Sequence, residues 1–90
     1  MLKIFLNKII TEDGFLLETS DKKTYVIGRP IKKRPVKLKL KNKSIEYKLL
    51  LFPDLYFGKG YTEGDITIED GTISEILDIA LKNIGRKDIS

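Results

Sequence analysis

The sequence contains neither cysteine nor histidine. Without cysteine the chain can form no disulfide and no thiolate metal site. Without histidine it lacks the commonest general base and the commonest neutral metal ligand. No convincing pair of carboxylates takes their place, so we expect no catalytic residues, no metal site and no cofactor. The missing cysteines also fit a reducing, cytoplasmic compartment.

Long apolar runs are missing as well. The longest covers only residues 49–52, far short of the roughly 18–20 residues that cross a bilayer. The rest is ordinary for a folded protein, with 41% hydrophobic and 33% charged residues, and such apolar content is too high for a disordered chain. Because a chain of 90 residues fits one domain, residues 1–90 are predicted to form a single domain.

Positive charge is concentrated in one part of the chain. Residues 29–48 hold nine basic residues and one acid, a net charge of +8, although the whole chain carries only +4. Such clustering indicates an anionic partner. The alternative is a solvated strand face whose lysines discourage aggregation. The candidate lipid- or membrane-binding residues are Arg29, Lys32, Lys33, Arg34, Lys37, Lys39 and Lys41.

The clearest predicted strand covers residues 36–41, where apolar and basic residues alternate. A period of two buries one set of side chains and exposes the other. The residues predicted to be buried are Val36, Leu38 and Leu40, and those predicted to be exposed are Lys37, Lys39 and Lys41. Before this strand, the periodicity predicts a helix over residues 2–10 and a hairpin from residues 15–19 and 24–27.

Residues 45–52 are ambiguous between a strand and a short helix, for which Ser44 is a candidate N-cap. The stretch after Pro53 is predicted to be a short helix that ends at its glycines. Because glycine adopts left-handed backbone freely, we expect a positive φ at Gly58 or Gly60, with the ring of Tyr61 in the core. The glycine spacing does not match G-x-G-x-x-G, so no nucleotide site is predicted.

The strongest helix is predicted over residues 72–84. Thr72 and Glu75 have the form of a capping box, and Gly85 stands where a C-terminal cap belongs. The side chains predicted to cover the sheet are Ile73, Ile76, Leu77 and Ala80. The whole pattern predicts an α+β fold with a small, mainly antiparallel sheet of three to four strands, flanked by an N-terminal and a C-terminal helix.

Residues 53–81 resemble the N-terminal, non-catalytic domain of the cyclopropane-fatty-acyl-phospholipid synthase family. That family carries the pattern P-x-L-x-x-G-E-A-Y-x-x-G, followed by a short strand and an aliphatic helix. Gly58, Tyr61 and Gly64 match this pattern, whereas Lys59 and Gly60 stand where the family usually has Glu and Ala. The upstream hairpin and the amphipathic N-terminal helix are also similar to the family's order of elements.

The resemblance implies a role in lipid chemistry. Family members transfer a methylene group from S-adenosylmethionine to a cis double bond in a phospholipid acyl chain. The chemistry resides in a separate methyltransferase domain, which these 90 residues do not include. The implied partners are an anionic phospholipid surface and a methyltransferase catalytic domain, in the same or another chain. The implied location is the cytoplasm, peripheral to the inner membrane.

Two other classes of function stay open. The first is a small basic module that binds RNA or another nucleic acid. It is disfavoured because no aromatic residue lies between Arg29 and Glu46 to stack on bases. The second is a structural or homodimerisation domain whose charge is incidental. An independent enzyme is the least favoured, since the sequence offers no convincing set of catalytic groups.

Overall fold

Four helices and four strands make up residues 1–87, the part of the chain that the computed structural model describes, with side chains described for residues 1–84. The strands form one sheet, with a helix at each end of the described chain, so the predicted α+β class is confirmed. The elements are α1 (Leu2–Ile9), β1 (Gly14–Glu18), β2 (Thr24–Gly28), β3 (Lys37–Leu40), α2 (Lys43–Leu51), α3 (Pro53–Thr62), β4 (Ile66–Glu69) and α4 (Ile73–Lys87).

The sheet is mixed, with the strand order β2-β1-β3-β4. β1 pairs antiparallel with β2 and parallel with β3, and β3 pairs antiparallel with β4. Most of the pairing is therefore antiparallel, as predicted. The parallel pair arises because residues 29–36 carry the chain from β2 past the end of β1 to its other side. As a result, the lysine-rich strand β3 has a neighbour on each side.

One face of the sheet forms the core. The predicted alternation in β3 is confirmed at its apolar positions. They are Val36, Leu38 and Leu40, which are 1%, 3% and 5% exposed. The helices pack on this face, because Ile45 of α2 and Ile76 of α4 belong to the same buried apolar cluster as the strand residues. The opposite face carries the β3 lysines and exposed side chains such as Val26 and Thr67.

The segment that was ambiguous in the sequence is helical and forms α2. Its N-cap is Asn42 and not Ser44: Oδ1 of Asn42 accepts a hydrogen bond from the Ile45 amide at 3.0 Å. This satisfies one of the free N–H groups of the first turn. Phe52, with φ −139° and ψ 69°, separates α2 from α3. Pro53 then opens α3, at a position where its missing N–H leaves no bond unmade.

α3 does not end at its glycines but runs through Gly58 and Gly60 to Thr62. Neither glycine has a positive φ. The left-handed backbone lies instead at Gly64, in the turn after α3, where φ is 83°. Tyr61 is 43% exposed and so does not lie in the core. The predicted glycine bend with a buried Tyr61 is therefore wrong.

Close packing accounts for the glycine inside α3. Gly60 is buried, and a Cβ atom at this position would lie 2.8 Å from the Cδ1 atoms of both Ile45 and Ile66. Gly60 therefore lets α3 approach α2 and β4 closely, and this contact overrides the low helix propensity of glycine. Successive helical residues differ by about 100° around the axis, so an inward Gly60 directs Tyr61 away from the core.

α4 confirms the predicted C-terminal helix but differs at both ends. Oγ1 of Thr72 accepts a hydrogen bond from the Glu75 amide at 3.3 Å, which is one half of the predicted capping box. The Glu75 carboxylate pairs instead with Lys32, at 2.7 Å. The helix continues to Lys87, so Gly85 lies within it and is not its C-cap.

The buried side of α4 is rotated from the predicted one. Ile76 and Ile79 are buried, whereas Leu77 is 45% exposed. The other two predicted core residues, Ile73 and Ala80, are half-buried. α4 therefore covers the sheet with only part of its apolar surface.

Asn83 is a polar residue on the buried side of α4, one helical turn after Ile79. Its side chain is almost fully buried and bonds to the segment that precedes β1. Oδ1 accepts hydrogen bonds from the amides of Thr11 and Glu12, both at 2.8 Å. Nδ2 donates to the carbonyl oxygens of Glu12 at 2.9 Å and Ile79 at 2.7 Å. These bonds satisfy both ends of the amide and fix α4 against the start of the sheet.

Candidate functional site

The two β3 lysines of the predicted basic surface lie in an ion-pair network on the sheet face opposite the helices. Nζ of Lys39 donates to Oε2 of Glu69 at 2.9 Å and lies 4.0 Å from Oε2 of Glu18. Nζ of Lys37 lies 3.8 Å from Oε1 of Glu18. The hydrogen bond to Glu69, together with the charge of Glu18, raises the pKa of Lys39. The same hydrogen bond lowers the pKa of Glu69.

This network corrects the prediction that both lysines are exposed. The side chains of Lys37 and Lys39 are only 22% and 30% exposed. The strand register is the cause: Glu18 of β1 lies opposite Lys39, and Glu69 of β4 lies opposite Lys37. Cross-strand neighbours share a face of the sheet and interact. Most of the positive charge of β3 is therefore balanced within the sheet.

The basic loop, defined here as residues 29–34, contains two paired cations. Nζ of Lys32 lies 2.7 Å from Oε2 of Glu75, and Nη1 of Arg34 lies 3.8 Å from Oδ1 of Asp70. Both pairs are on the surface, and the Arg34 side chain is 83% exposed. Surface pairs of this kind hold their partners weakly, so these two cations can still contribute to the local potential.

The same loop presents two cations without a carboxylate partner among residues 1–84. These are Arg29 and Lys33, and both are exposed. Between them lies Ile31, which is 75% exposed. The loop therefore combines positive charge with an apolar side chain in contact with solvent.

Lys41 lies apart from the basic loop, at the other end of β3. It is exposed, and its backbone amide donates to the carbonyl oxygen of Asp65 at 2.9 Å. β3 lies between Lys41 and the loop, and its four residues span about 13 Å. The seven predicted cations thus occupy three places: the basic loop, the ion-pair network and the far end of β3.

The three residues that match the family pattern do not assemble into a site. Gly58 and Tyr61 are exposed on α3, and Gly64 is in the turn that leads to β4. A Cβ atom at Gly58 or at Gly64 would meet no neighbouring atom within 4 Å. The positive φ of Gly64 gives that glycine a structural role.

An apolar groove of about 200 Å³ opens on the helical side of the molecule, between α1, α3 and α4. Leu6 and Ile9 line it from α1, Phe57 from α3, and Leu77 and Ile84 from α4. The sequence did not predict this groove, because its walls come from opposite ends of the chain. The hydrophobic periodicity of each helix was visible, but not the gap between the helices.

A smaller cavity of about 150 Å³ near the start of β1 is lined by charged side chains that pair with each other. Lys82 lies 3.1 Å from Asp13, and Lys32 lies 2.7 Å from Glu75. Partial burial acts to raise the pKa of Asp13, but the Gly14 amide and Lys82 outweigh it and lower the pKa. These pairs connect α4 to the basic loop and to the residue that precedes β1.

Other features that could indicate a function are few. Among the residues the structure describes, no group of three or more Asp and Glu side chains could hold a metal ion. No helix in this part of the chain is long and apolar enough to cross a membrane. Comparisons with protein-family models, with curated proteins and with solved structures found no match to this chain.

Proposed function

We propose that the chain is a non-catalytic accessory domain that binds an anionic phospholipid surface. Its place would be the cytoplasmic side of the inner membrane. It would serve an S-adenosylmethionine-dependent methyltransferase domain that forms cyclopropane rings in phospholipid acyl chains. The resemblance over residues 53–81 suggests that catalytic partner, whereas the argument for lipid binding rests on the surface of this chain.

The basic loop is the observation that carries the proposal. Arg29 and Lys33 have no carboxylate partner among residues 1–84, so their charges are available to phosphate groups. Ile31, between them, is 75% exposed and could enter the headgroup region. A basic residue near an anionic surface contributes about 1 kcal/mol. The loop therefore supports weak, reversible binding at the lipid surface.

The sheet face argues against the main alternative, binding of single-stranded RNA. Sheets that bind single strands usually present aromatic side chains on which bases stack. Here the strand positions on the open face, in register with Lys37 and Lys39, are Leu16, Glu18, Thr67 and Glu69. These side chains offer no stacking surface, and the two lysines are already paired with acids. Lipid binding is therefore the better-supported function.

The test is co-sedimentation of the chain with phosphatidylglycerol vesicles and with neutral phosphatidylcholine vesicles. We expect binding to the anionic vesicles only. The variant R29Q/K33Q removes the two unpaired cations, a loss of about 2 kcal/mol, or roughly 30-fold in affinity. This variant is easier to interpret than replacement of Lys32 or Arg34 by an acid. Such an acid would lie next to Glu75 or Asp70 and would be repelled by it.

The matched control is K22Q/K23Q, which removes the same charge from the turn at the opposite end of β2. Its affinity should change by less than about threefold, because exposed charges are screened over roughly 8 Å at physiological ionic strength. Absence of wild-type binding to anionic vesicles would contradict the proposal. Equal losses in the two variants would show that overall charge, and not the basic loop, drives binding.

A further inference from the structure

The junction of α2 and α3 exposes a cluster of large apolar side chains, which we name the α2–α3 corner. It consists of Leu51, Phe52 and Leu55, which are 68%, 59% and 59% exposed. They lie at the end of α2, at the break and in the first turn of α3, so five consecutive positions hold all three exposed side chains. Exposed apolar patches that are rimmed by polar residues often mark sites of protein or membrane interaction.

Lysine and tyrosine side chains border this corner. Lys48 lies one helical turn before Leu51, and its Nζ is 5.3 Å from the centre of the Tyr56 ring. Lys59 follows Leu55 by four residues on α3, which places it on the same side of the helix. Tyr47 is also exposed, at 61%. Such side chains place their apolar parts in a lipid interface and their polar ends in water.

The acidic side chains near the corner do not cancel this pattern. Oε2 of Glu46 accepts hydrogen bonds from the amide and hydroxyl groups of Ser20, at 2.9 and 2.5 Å. This directs Glu46 toward the β1–β2 turn. Asp54 is exposed in the first turn of α3, but this one acid is outnumbered by Lys48 and Lys59. The corner thus presents an apolar tip with two flanking cations.

We infer that the α2–α3 corner inserts into the interface of an anionic phospholipid bilayer. The inference rests on the proposed lipid-binding function and assigns the apolar contact to a surface outside the predicted basic residues. The flanking cations Lys48 and Lys59 would meet lipid phosphates while the three apolar side chains enter the acyl boundary. An exposed apolar cluster with a basic border is complementary to this kind of surface.

Tryptophan fluorescence tests the insertion directly, because the native chain contains no tryptophan. In Phe52→Trp the indole can keep the ring contact with Tyr56, whose centroid lies 6.3 Å away. On anionic vesicles its emission should shift to shorter wavelength and be quenched by brominated acyl chains. The matched control is Val26→Trp, at a site that is also 59% exposed but lies on β2, and its emission should not shift.

Vesicle affinity provides a second measurement. The variant L51Q/F52Q/L55Q should bind anionic vesicles at least about 30-fold more weakly, because three side chains lose their apolar contact. The control I4Q/V26Q/L81Q replaces three side chains of similar exposure, at 55%, 59% and 66%, and should stay within about threefold of wild type. Circular dichroism melting verifies that both variants fold.

The outcomes separate this inference from the function on which it rests. If wild type does not bind anionic vesicles, both fail. If wild type binds while the indole at position 52 stays in water, the corner is not inserted and the proposed function stands. Equal losses of affinity in the two triple variants would also overturn the assignment to the corner. Shifted and quenched emission only at position 52, with loss of affinity only in the corner variant, supports it.

Discussion

Gly60 sets the distance between α3 and the elements beneath it. The sequence suggested that this glycine bends the backbone, but its function in the fold is to leave space. No local pattern distinguishes these roles, because the side chains that fill the space, Ile45 and Ile66, belong to two other elements, α2 and β4. Gly58, two residues earlier, meets no atom within 4 Å at its virtual Cβ position. The two glycines of one helix should therefore respond differently to the same substitution.

We predict that Gly58→Ala stabilises the protein and that Gly60→Ala destabilises it. Alanine in an exposed helical position is favoured over glycine by up to about 1 kcal/mol. At position 60 the same gain is opposed by overpacking, which costs roughly 1–3 kcal/mol, so we expect a net loss of about 1 kcal/mol. Urea denaturation of both variants measures the free energies of unfolding. A Gly60→Ala variant as stable as Gly58→Ala would contradict the close contact.

Other residue-level features were predictable to different degrees. The burial of Val36, Leu38 and Leu40 followed from alternation, which is a local property of one strand. The buried position of Asn83 could not be predicted from a local pattern, because its partners, the amides of Thr11 and Glu12, are more than seventy residues away. A polar residue within an apolar helical stripe was the available signal, and it does not identify the partners.

At the scale of elements, the position of β3 in the sheet determines whether its lysines are paired with acids. The sequence showed a strand with one basic side, which would be free if β3 were an edge strand. In the structure β3 is central, and carboxylates from both neighbours balance that side. Strand order could not be derived from alternation, because the same pattern fits an edge or a central position. The continuation of α3 through its glycines likewise depended on contacts with α2 and β4.

The ion pair between Lys39 of β3 and Glu69 of β4 can be removed without a change in the net charge of the protein. The double variant K39Q/E69Q removes one ion pair and leaves the net charge unchanged. We predict a lower melting temperature, because the 2.9 Å contact between Lys39 and Glu69 is lost. The affinity for anionic vesicles should stay within about twofold of wild type, because a cation and the adjacent acid are removed together and the local charge is nearly unchanged. Melting and co-sedimentation of the same preparation provide both values. A large loss of vesicle affinity would show that Lys39 contacts lipid.

At the scale of the whole molecule, the helices cover one side of the sheet and the available cations lie mainly at its ends. Composition and periodicity were sufficient to predict the α+β class, because the helices and strands are short and regular. The sequence predicted which segment carries the basic residues of the candidate site, but not how their side chains are arranged in space. The acids that pair with Lys37 and Lys39 come from β1 and β4, which precede and follow the basic residues in the sequence. The surface left to bind an anionic partner is therefore smaller than the sequence suggested.

The proposed function requires that this surface bind anionic lipid in preference to nucleic acid. Salt dependence cannot separate the two, because both partners are polyanions. The most direct test measures wild-type affinity for phosphatidylglycerol vesicles and for single-stranded RNA at the same ionic strength, with phosphatidylcholine vesicles as the neutral control. We predict binding to the anionic vesicles, with weaker binding to RNA and none to the neutral vesicles. Tight binding to RNA without binding to anionic vesicles would contradict the account.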